Sequence, residues 1–390
     1  MKSKKILIIS DVSSYMKGGV PSETRHLILG LHKRGFAVAL AANAILCQPD
    51  LAEFLQLKFP LDQKKMSDLE KFCAIFNPDL IHVIAMSSSG IFKLEPFLKK
   101  YNWVLTIHSV PPHERILRYF HATDEIHYAA RYLRFIFNTI AWRLMFLRIW
   151  DVKVIVHSQY VAEAALNTGA NKNNIHIVPL PFVPSQYALD ASPRLKVNAD
   201  LRIVSIGGLA HTKGQHDLVK AIAVIKKTLG KVNCKFIGEV RDKSYYKYLQ
   251  KLVIDLDLIE DVEIHTELND AERDVLLSNC DVYVQPSHEE GFCIAYLEAA
   301  AIVPRLVGTS TGAIVLVSEG DLGARVVPIS SYELLAGAVL DVARAVLSDN
   351  HMLMRRERLN SIFGLERYLD TTQVIYFDES ADKNKLATYS

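Results

Sequence analysis

The residue types and spacings most capable of chemistry lie in 282–301. Val282, Tyr283 and Val284 read as a buried strand, and Pro286 and Ser287 end it. Glu289, Glu290 and Gly291 then form a tight turn. From Phe292 onward the apolar spacing is helical and runs into Ala299, Ala300 and Ala301. Two carboxylates and a glycine therefore sit where a strand hands over to a helix. In an open α/β sheet that place is the ligand crevice, at the carboxyl ends of the strands. Glu298 follows Glu290 by eight residues, an offset of roughly 80° at 3.6 residues per turn. With Glu290 ahead of the helix and Glu298 on its inner face, one carboxylate reaches a ligand from the turn and the other from the helix. Cys293, beside the turn, has no matched base and reads as packing.

Three further places carry candidates. Gly18-Gly19 precedes a helical stretch from Ser22 to Arg34. The loop is not GxGxxG, which argues against an ordinary dinucleotide site. Adjacent glycines before a helix still allow close backbone approach to a phosphate at the positive end of the helix dipole; a flexible turn is the plainer reading. Lys213 stands between Gly207-Gly208 and Gly214, ahead of a helix over 218–226. A lysine there suits a phosphate, although the spacing is not a P-loop. His108 ends the strand 103–108, on the ligand side of such a sheet, where it donates to a ligand oxygen, acts as a base, or is simply satisfied by its neighbours. His82 falls mid-strand and reads as structural.

The elements that must position these residues alternate. A strand over 5–10, a glycine loop, a helix capped at Gly35 and a strand over 36–41 make the half-unit of a doubly wound sheet. Strands at 80–84, 103–108 and 152–157 continue it. Pro179, Pro181, Pro184 and Pro193 mark a linker over 178–200. A second α/β series follows from 201–206 to 324–327, then helices near 331–347 and 351–361 and a last one to Phe377. With 390 residues, two domains are expected. A net charge of +2 gives no case for nucleic acid. The five cysteines (Cys47, Cys73, Cys234, Cys280, Cys293) show neither a CxxC pair nor His/Cys ligand spacing, which fits reduced core thiols in a cytosolic protein. Ile6 to Ile9 is too short an apolar run for a signal peptide, and no stretch approaches the ~20 residues of a membrane span.

Residues 113–150 differ from the rest. They hold Arg115, Arg118, Arg131, Arg134, Arg143 and Arg148, no lysine, and many aromatics. Leu133, Phe137, Ile140, Leu144 and Leu147 keep helical spacing. A basic, aromatic amphipathic helix can lie on an anionic membrane surface. The plainer alternative is a helix that turns this apolar stripe to the core and its arginines to water.

The chain resembles the GT-B glycosyltransferases, most closely glycosyltransferase family 4, which is retaining and uses nucleotide-sugars. Glu290-Gly291-Phe292 with Leu297-Glu298-Ala299 matches that family's E-x7-E signature. Gly207-Gly208-Leu209 with Lys213-Gly214 is similar to its phosphate-binding stretch. Gly18-Gly19 with Arg34-Gly35-Phe36 resembles its N-terminal loop and helix, and Thr309-Ser310-Thr311-Gly312 its late glycine turn. The resemblance implies two Rossmann-like domains facing across a cleft: residues 1–182 for the acceptor and 183–364 for the nucleotide-sugar donor. A C-terminal helix at about 365–380 would cross back to the first domain. It implies Glu298 on the ribose hydroxyls, and Glu290 facing the donor sugar beside the amides of Gly291 and Phe292. Lys213 would meet the diphosphate, with Gly18 and Gly19 approaching it, and His108 would contact the donor sugar. Catalytic weight would fall on His108, Glu290 and Lys213. A lysine and helix N-termini would stabilise the leaving diphosphate, so no metal and no cofactor is expected.

The expected function is transfer of a hexose-type sugar from a nucleotide-sugar, UDP in preference to GDP, to a glycan, glycolipid or lipid-linked acceptor. The expected setting is cytoplasmic, with a peripheral contact on the inner face of the membrane through 113–150. Two departures matter. Gly208 replaces the arginine that usually accompanies the lysine, leaving Arg202, His211 or Arg25 as substitutes. Leu316 stands where the late turn usually ends in an acid. A catalytically weakened glycosyltransferase-like scaffold subunit and a GT-B nucleotide-sugar epimerase therefore stay open as alternatives.

Overall fold

A computed structural model describes residues 3–11, 19–42, 53–56, 62–84, 86–108, 125–183, 194–197 and 200–377, with side chains of the helix Glu125–Arg148 from residue 136 onward. Gly18, Cys47 and residues 113–124 lie outside the described residues. The chain divides into two compact units, Met1–Pro181 with Leu365–Ser390, and Phe182–Gly364.

In the first unit the order is β1 (Lys5–Ser10), α1 (Gly19–Lys33), β2 (Ala37–Ala42), β3 (Glu53–Gln56), α2 (Gln63–Phe76), β4 (Leu80–Ile84), α3 (Ser88–Leu98), β5 (Trp103–Ile107), α4 (Glu125–Arg148), β6 (Lys153–Val156), α5 (Gln159–Asn167) and β7 (Ile175–Ile177). The sheet runs β3-β2-β1-β4-β5-β6-β7, with every pairing parallel. Helices covering both faces of a parallel sheet explain why strands such as Ile6–Ile9 are apolar without alternation.

The second unit holds β8 (Leu201–Ile206), α6 (Gln215–Leu229), β9 (Val232–Ile237), α7 (Lys243–Asp255), β10 (Val262–His265), α8 (Asp270–Ser278), β11 (Val282–Gln285), α9 (Ile294–Ile302), β12 (Leu306–Thr309), α10 (Ile314–Ser318), β13 (Ala324–Val327), α11 (Tyr332–Arg344) and α12 (Asp349–Phe363). Its parallel sheet is ordered β10-β9-β8-β11-β12-β13. The order reverses between β8 and β11, so the loops after those strands flank a topological switch point.

α13 (Leu365–Phe377) belongs to the first unit. It lies on α1, where Gly30 leaves room for Leu369: a Cβ on Gly30 would stand 2.4 Å from Leu369 Cδ1. Arg34 holds Glu366 and Asp370, and Phe36 stacks on Phe377 with ring centroids 5.7 Å apart.

The stripe of 113–150 is corrected in one respect. Phe137, Ile140, Leu144 and Leu147 are exposed, and a second stripe, Trp142, Met145, Phe146 and Ile149, enters the core. At about 100° per residue the two stripes lie on opposite sides of the helix. The larger aromatics of the second stripe bury more area, which decides the orientation. Among the described residues no helix is long and apolar enough to cross a membrane.

Arg355 of α12 shows how the second unit is closed. It is buried, bonds both oxygens of Asp321, and donates to the carbonyls of Val303 (2.6 Å) and Pro304 (2.7 Å). Burial works against the Asp321 charge, but Arg355 outweighs it and holds the carboxyl below its usual range. Arg355→Met keeps most of the volume and strands that carboxylate. The expected loss is about 3–5 kcal/mol of stability, seen as a lower urea midpoint by circular dichroism; an unchanged midpoint would contradict this account.

Candidate active site

The turn Glu289–Gly291 connects β11 to α9, as the sequence pattern requires. Glu290 is buried, with Oε1 accepting from Ser287 Oγ at 2.6 Å and from Gln285 Nε2 at 3.3 Å. Its Oε2 accepts from Lys213 Nζ at 2.7 Å. Burial disfavours the lysine's charge, yet Glu290 outweighs that cost and raises the Lys213 pKa. The ammonium therefore stays protonated.

Backbone, more than side chains, brings the two together. The Thr212 carbonyl accepts from the amides of His288 (2.9 Å) and Glu289 (3.1 Å), stitching the loop after β8 to the loop after β11. Gly214 has φ +63°, and a Cβ there would stand 2.0 Å from the Pro286 carbonyl oxygen. Only glycine fits both the conformation and the approach. Gly312, with φ +56°, presses the late turn on the same place: its Cβ would stand 2.6 Å from the Phe292 carbonyl oxygen, which accepts the Ala313 amide at 2.8 Å. Turns after β8, β11 and β12 thus interlock at the carboxyl end of the sheet.

Glu298 is half-buried on α9, with Arg273 of α8 at 3.5 Å. Cys293 begins α9 at φ +80° and is buried. Burial pushes its thiol well up, so it is no thiolate nucleophile.

In the first unit, His108 follows β5 and His157 follows β6. Both meet Glu23 of α1, which sequence reasoning did not single out. His108 Nε2 bonds Glu23 Oε2, His157 Nε2 lies 3.3 Å from Oε1, and Tyr368 of α13 donates to Oε1 at 2.6 Å. Burial would raise the Glu23 pKa, but His157 and His108 outweigh it and hold the carboxyl well below its usual range. Burial lowers the pKa of His108, which Glu23 only partly offsets. His108 Nδ1 is buried without a partner among the described residues. His157 Nδ1 meets the Val178 carbonyl at 2.7 Å. His82 is structural: Tyr376 and Thr106 each hold one ring nitrogen at 2.6 Å, and burial pushes it down to about 3. Gly19 opens α1.

Folding also gathers histidines that no sequence spacing revealed. Ligand atoms of Glu23, His108 and His157 lie within 4.8 Å of one another, as do those of His211, His216 and His288. Both sets could hold a metal by donor type. Their atoms already serve other bonds, since His288 holds Asp217 at 2.6 Å and His216 Nδ1 meets Tyr245 at 3.0 Å. Burial pushes His216 down to about 3, so it is neutral.

A half-buried Lys213 paired with the buried Glu290, on glycine turns at the carboxyl ends of parallel strands, stands where an open α/β sheet binds its ligands. Comparison with known proteins gives the family. Residues 17–186 match glycosyltransferase family 4, and residues 190–355 match glycosyl transferases group 1. No curated protein matches the chain in sequence. Among solved structures, the sucrose-phosphate synthase of Thermosynechococcus elongatus is similar at TM-score 0.72 and 19% identity, over 95% of this chain and 98% of that one. A glycosyltransferase of Rickettsia africae is similar at TM-score 0.73 and 16% identity, over 96% and 98%. HepE of Anabaena, in complex with UDP and glucose, is similar at TM-score 0.69 and 14% identity, over 95% and 98%. The chain is a GT-B glycosyltransferase, with a family 4 first half and a group 1 second half.

Proposed function

We propose that the protein is a retaining, metal-independent glycosyltransferase that moves a hexose-type sugar from a nucleotide-sugar, UDP in preference to GDP, to a glycan, glycolipid or lipid-linked acceptor. The observation that carries this reading is the Lys213–Glu290 pair held between glycine turns. Breaking the anomeric bond builds positive charge on the sugar and negative charge on the leaving diphosphate. The N-terminal ends of α6 and α9, with the Lys213 ammonium as a hydrogen-bond donor, contribute to stabilising that negative charge without a metal. Glu290, with the amides of Gly291 and Phe292, faces the sugar, and Glu298 takes the ribose hydroxyls. His108 is assigned to the donor sugar, and Gly18 and Gly19 to the diphosphate. Complexes of Anabaena HepE with UDP and with UDP-glucose support UDP as the first donor base to try.

The acceptor side rests on α4. Phe137, Ile140, Leu144 and Leu147 form an exposed apolar stripe, with Arg143 and Arg148 exposed on either side of it. An apolar stripe bordered by cations suits the boundary of an anionic bilayer. That placement brings a lipid-linked acceptor to the enzyme.

Two measurements test these readings. A thermal-shift panel of UDP-, GDP- and ADP-sugars should raise the apparent stability of the wild type with one base. Turnover with that donor should then fall on the order of 10²-fold in Lys213→Ala and again in Glu290→Gln. Nucleotide binding without turnover for any donor would favour the scaffold reading, and an isomerised sugar formed without acceptor would favour the epimerase. For α4, the wild type should sediment with vesicles containing anionic lipid, and a Phe137→Ser/Leu144→Ser/Leu147→Ser variant should stay in the supernatant. Absence of wild-type binding would remove the membrane contact.

A further inference from the structure

Lys213 does not bring a free positive charge to its site. Glu290 matches it at 2.7 Å, so the pair is neutral overall, whereas a diphosphate leaves with more than one negative charge. A second cation is needed, and Gly208 has no side chain to provide it. Arg202, the second residue of β8, lies at the amino end of its strand near Asp200 and Lys231, at the far edge from the glycine loop. The His211 ring packs on the rings of His216 and His288, with centroids 4.7 and 5.9 Å away.

Arg241 stands where the charge is missing. The loop after β8 and the loop after β9 are bonded side by side: Gly207 N to Ile237 O at 2.9 Å, Leu209 N to Glu239 O at 2.8 Å, and Asp242 N to Leu209 O at 3.1 Å. Gly238 permits that closeness, because a Cβ on it would stand 2.2 Å from the Gly207 carbonyl oxygen. Asp242 caps α7 through the amides of Ser244 (2.9 Å) and Tyr245 (3.1 Å), which fixes the backbone just after Arg241. The Arg241 stem then lies across Gly208. A Cβ on Gly208 would be 2.5 Å from Arg241 Cδ and 2.4 Å from its Nε. Beside it, the Lys213 stem lies against Gly207, with Cγ and Cδ each 3.8 Å from where a Cβ would be. Two adjacent glycines therefore each carry one cation's stem. The charges feel one another, since Arg241 works to lower the proton affinity of Lys213. Arg241 is exposed and makes no hydrogen bond or ion pair among the described residues.

We infer that Arg241 is the second cation of the nucleoside-diphosphate site, placed over Gly208 to bind the donor's diphosphate beside Lys213. The inference rests on the reading of the Lys213–Glu290 loop as a diphosphate site. The guanidinium fork suits two phosphate oxygens at once, and no partner among the described residues occupies that fork. Glycine at 208 is then a requirement of the site, because any larger residue displaces the arginine that replaces its charge.

The test measures binding of UDP, GDP, uridine and guanosine to the whole protein by calorimetry. Arg241→Ala should weaken the bound diphosphate on the order of 10- to 100-fold and leave the matching nucleoside unchanged. Arg241→Lys should recover part of the loss. Gly208→Ala should weaken the diphosphate in the wild type and add nothing in Arg241→Ala, and Gly208→Arg in the Arg241→Ala background should restore binding. Unchanged diphosphate binding in Arg241→Ala, with Lys213→Ala weakened, would overturn the role of Arg241 and leave the site reading intact. If neither substitution matters, or the wild type binds neither diphosphate, the site reading falls and this inference with it.

Discussion

Lys213 and Glu290 are 77 residues apart in sequence and 2.7 Å apart at their charges. That pair, with Glu290 buried and Lys213 half-buried, sets the terms for everything around it. A lysine and a carboxylate removed from water gain from each other only when the geometry is held and the remaining oxygens are bonded. Here Ser287 and Gln285 occupy the other carboxylate oxygen, and the Thr212 carbonyl locks the two loops through the amides of His288 and Glu289. Gly214 and Gly312 supply the close approaches that a Cβ would block. The same rigidity suits chemistry, since a group aimed in advance at developing charge needs no reorganisation during the reaction.

Local signals were legible in the sequence and distant ones were not. The passage from Val282 through Glu290 to Glu298 is contiguous, so strand, turn and helix could be read from it, and the structure keeps that order. The helix 365–377 was expected on the first domain, and Leu369 on Gly30 and Tyr368 at Glu23 place it there. Glu23 itself escaped notice, because a single carboxylate in a polar helix looks solvated until two histidines from other strands surround it. Arg241 escaped notice likewise: its role depends on the pairing of β8 with β9, which no spacing encodes. The short strand Glu53–Gln56 and the helices α2 and α3 were also not foreseen.

Helix α4 shows a different limit. Its periodicity was correct, but it carries two apolar stripes, and period alone does not say which one faces the core. Trp142 and Phe146 win the interior because aromatic rings bury more area than Ile140 or Leu147. The losing stripe keeps its apolar character at the surface, where arginines border it.

The first unit also centres on a buried carboxylate, with histidines and a tyrosine as its partners. Glu23 takes His108 on one oxygen and Tyr368 on the other, with His157 alongside. His108 Nε2 is committed to Glu23, and its Nδ1 is buried without a partner among the described residues. The C-terminal helix therefore does more than cover α1. Through Tyr368 it completes the environment of Glu23, and through Tyr376 it pins His82 against Thr106. A chain segment more than 340 residues from Glu23 thus fixes the ring orientation of the histidine. That is a physical reason for the chain to return to the unit where it began.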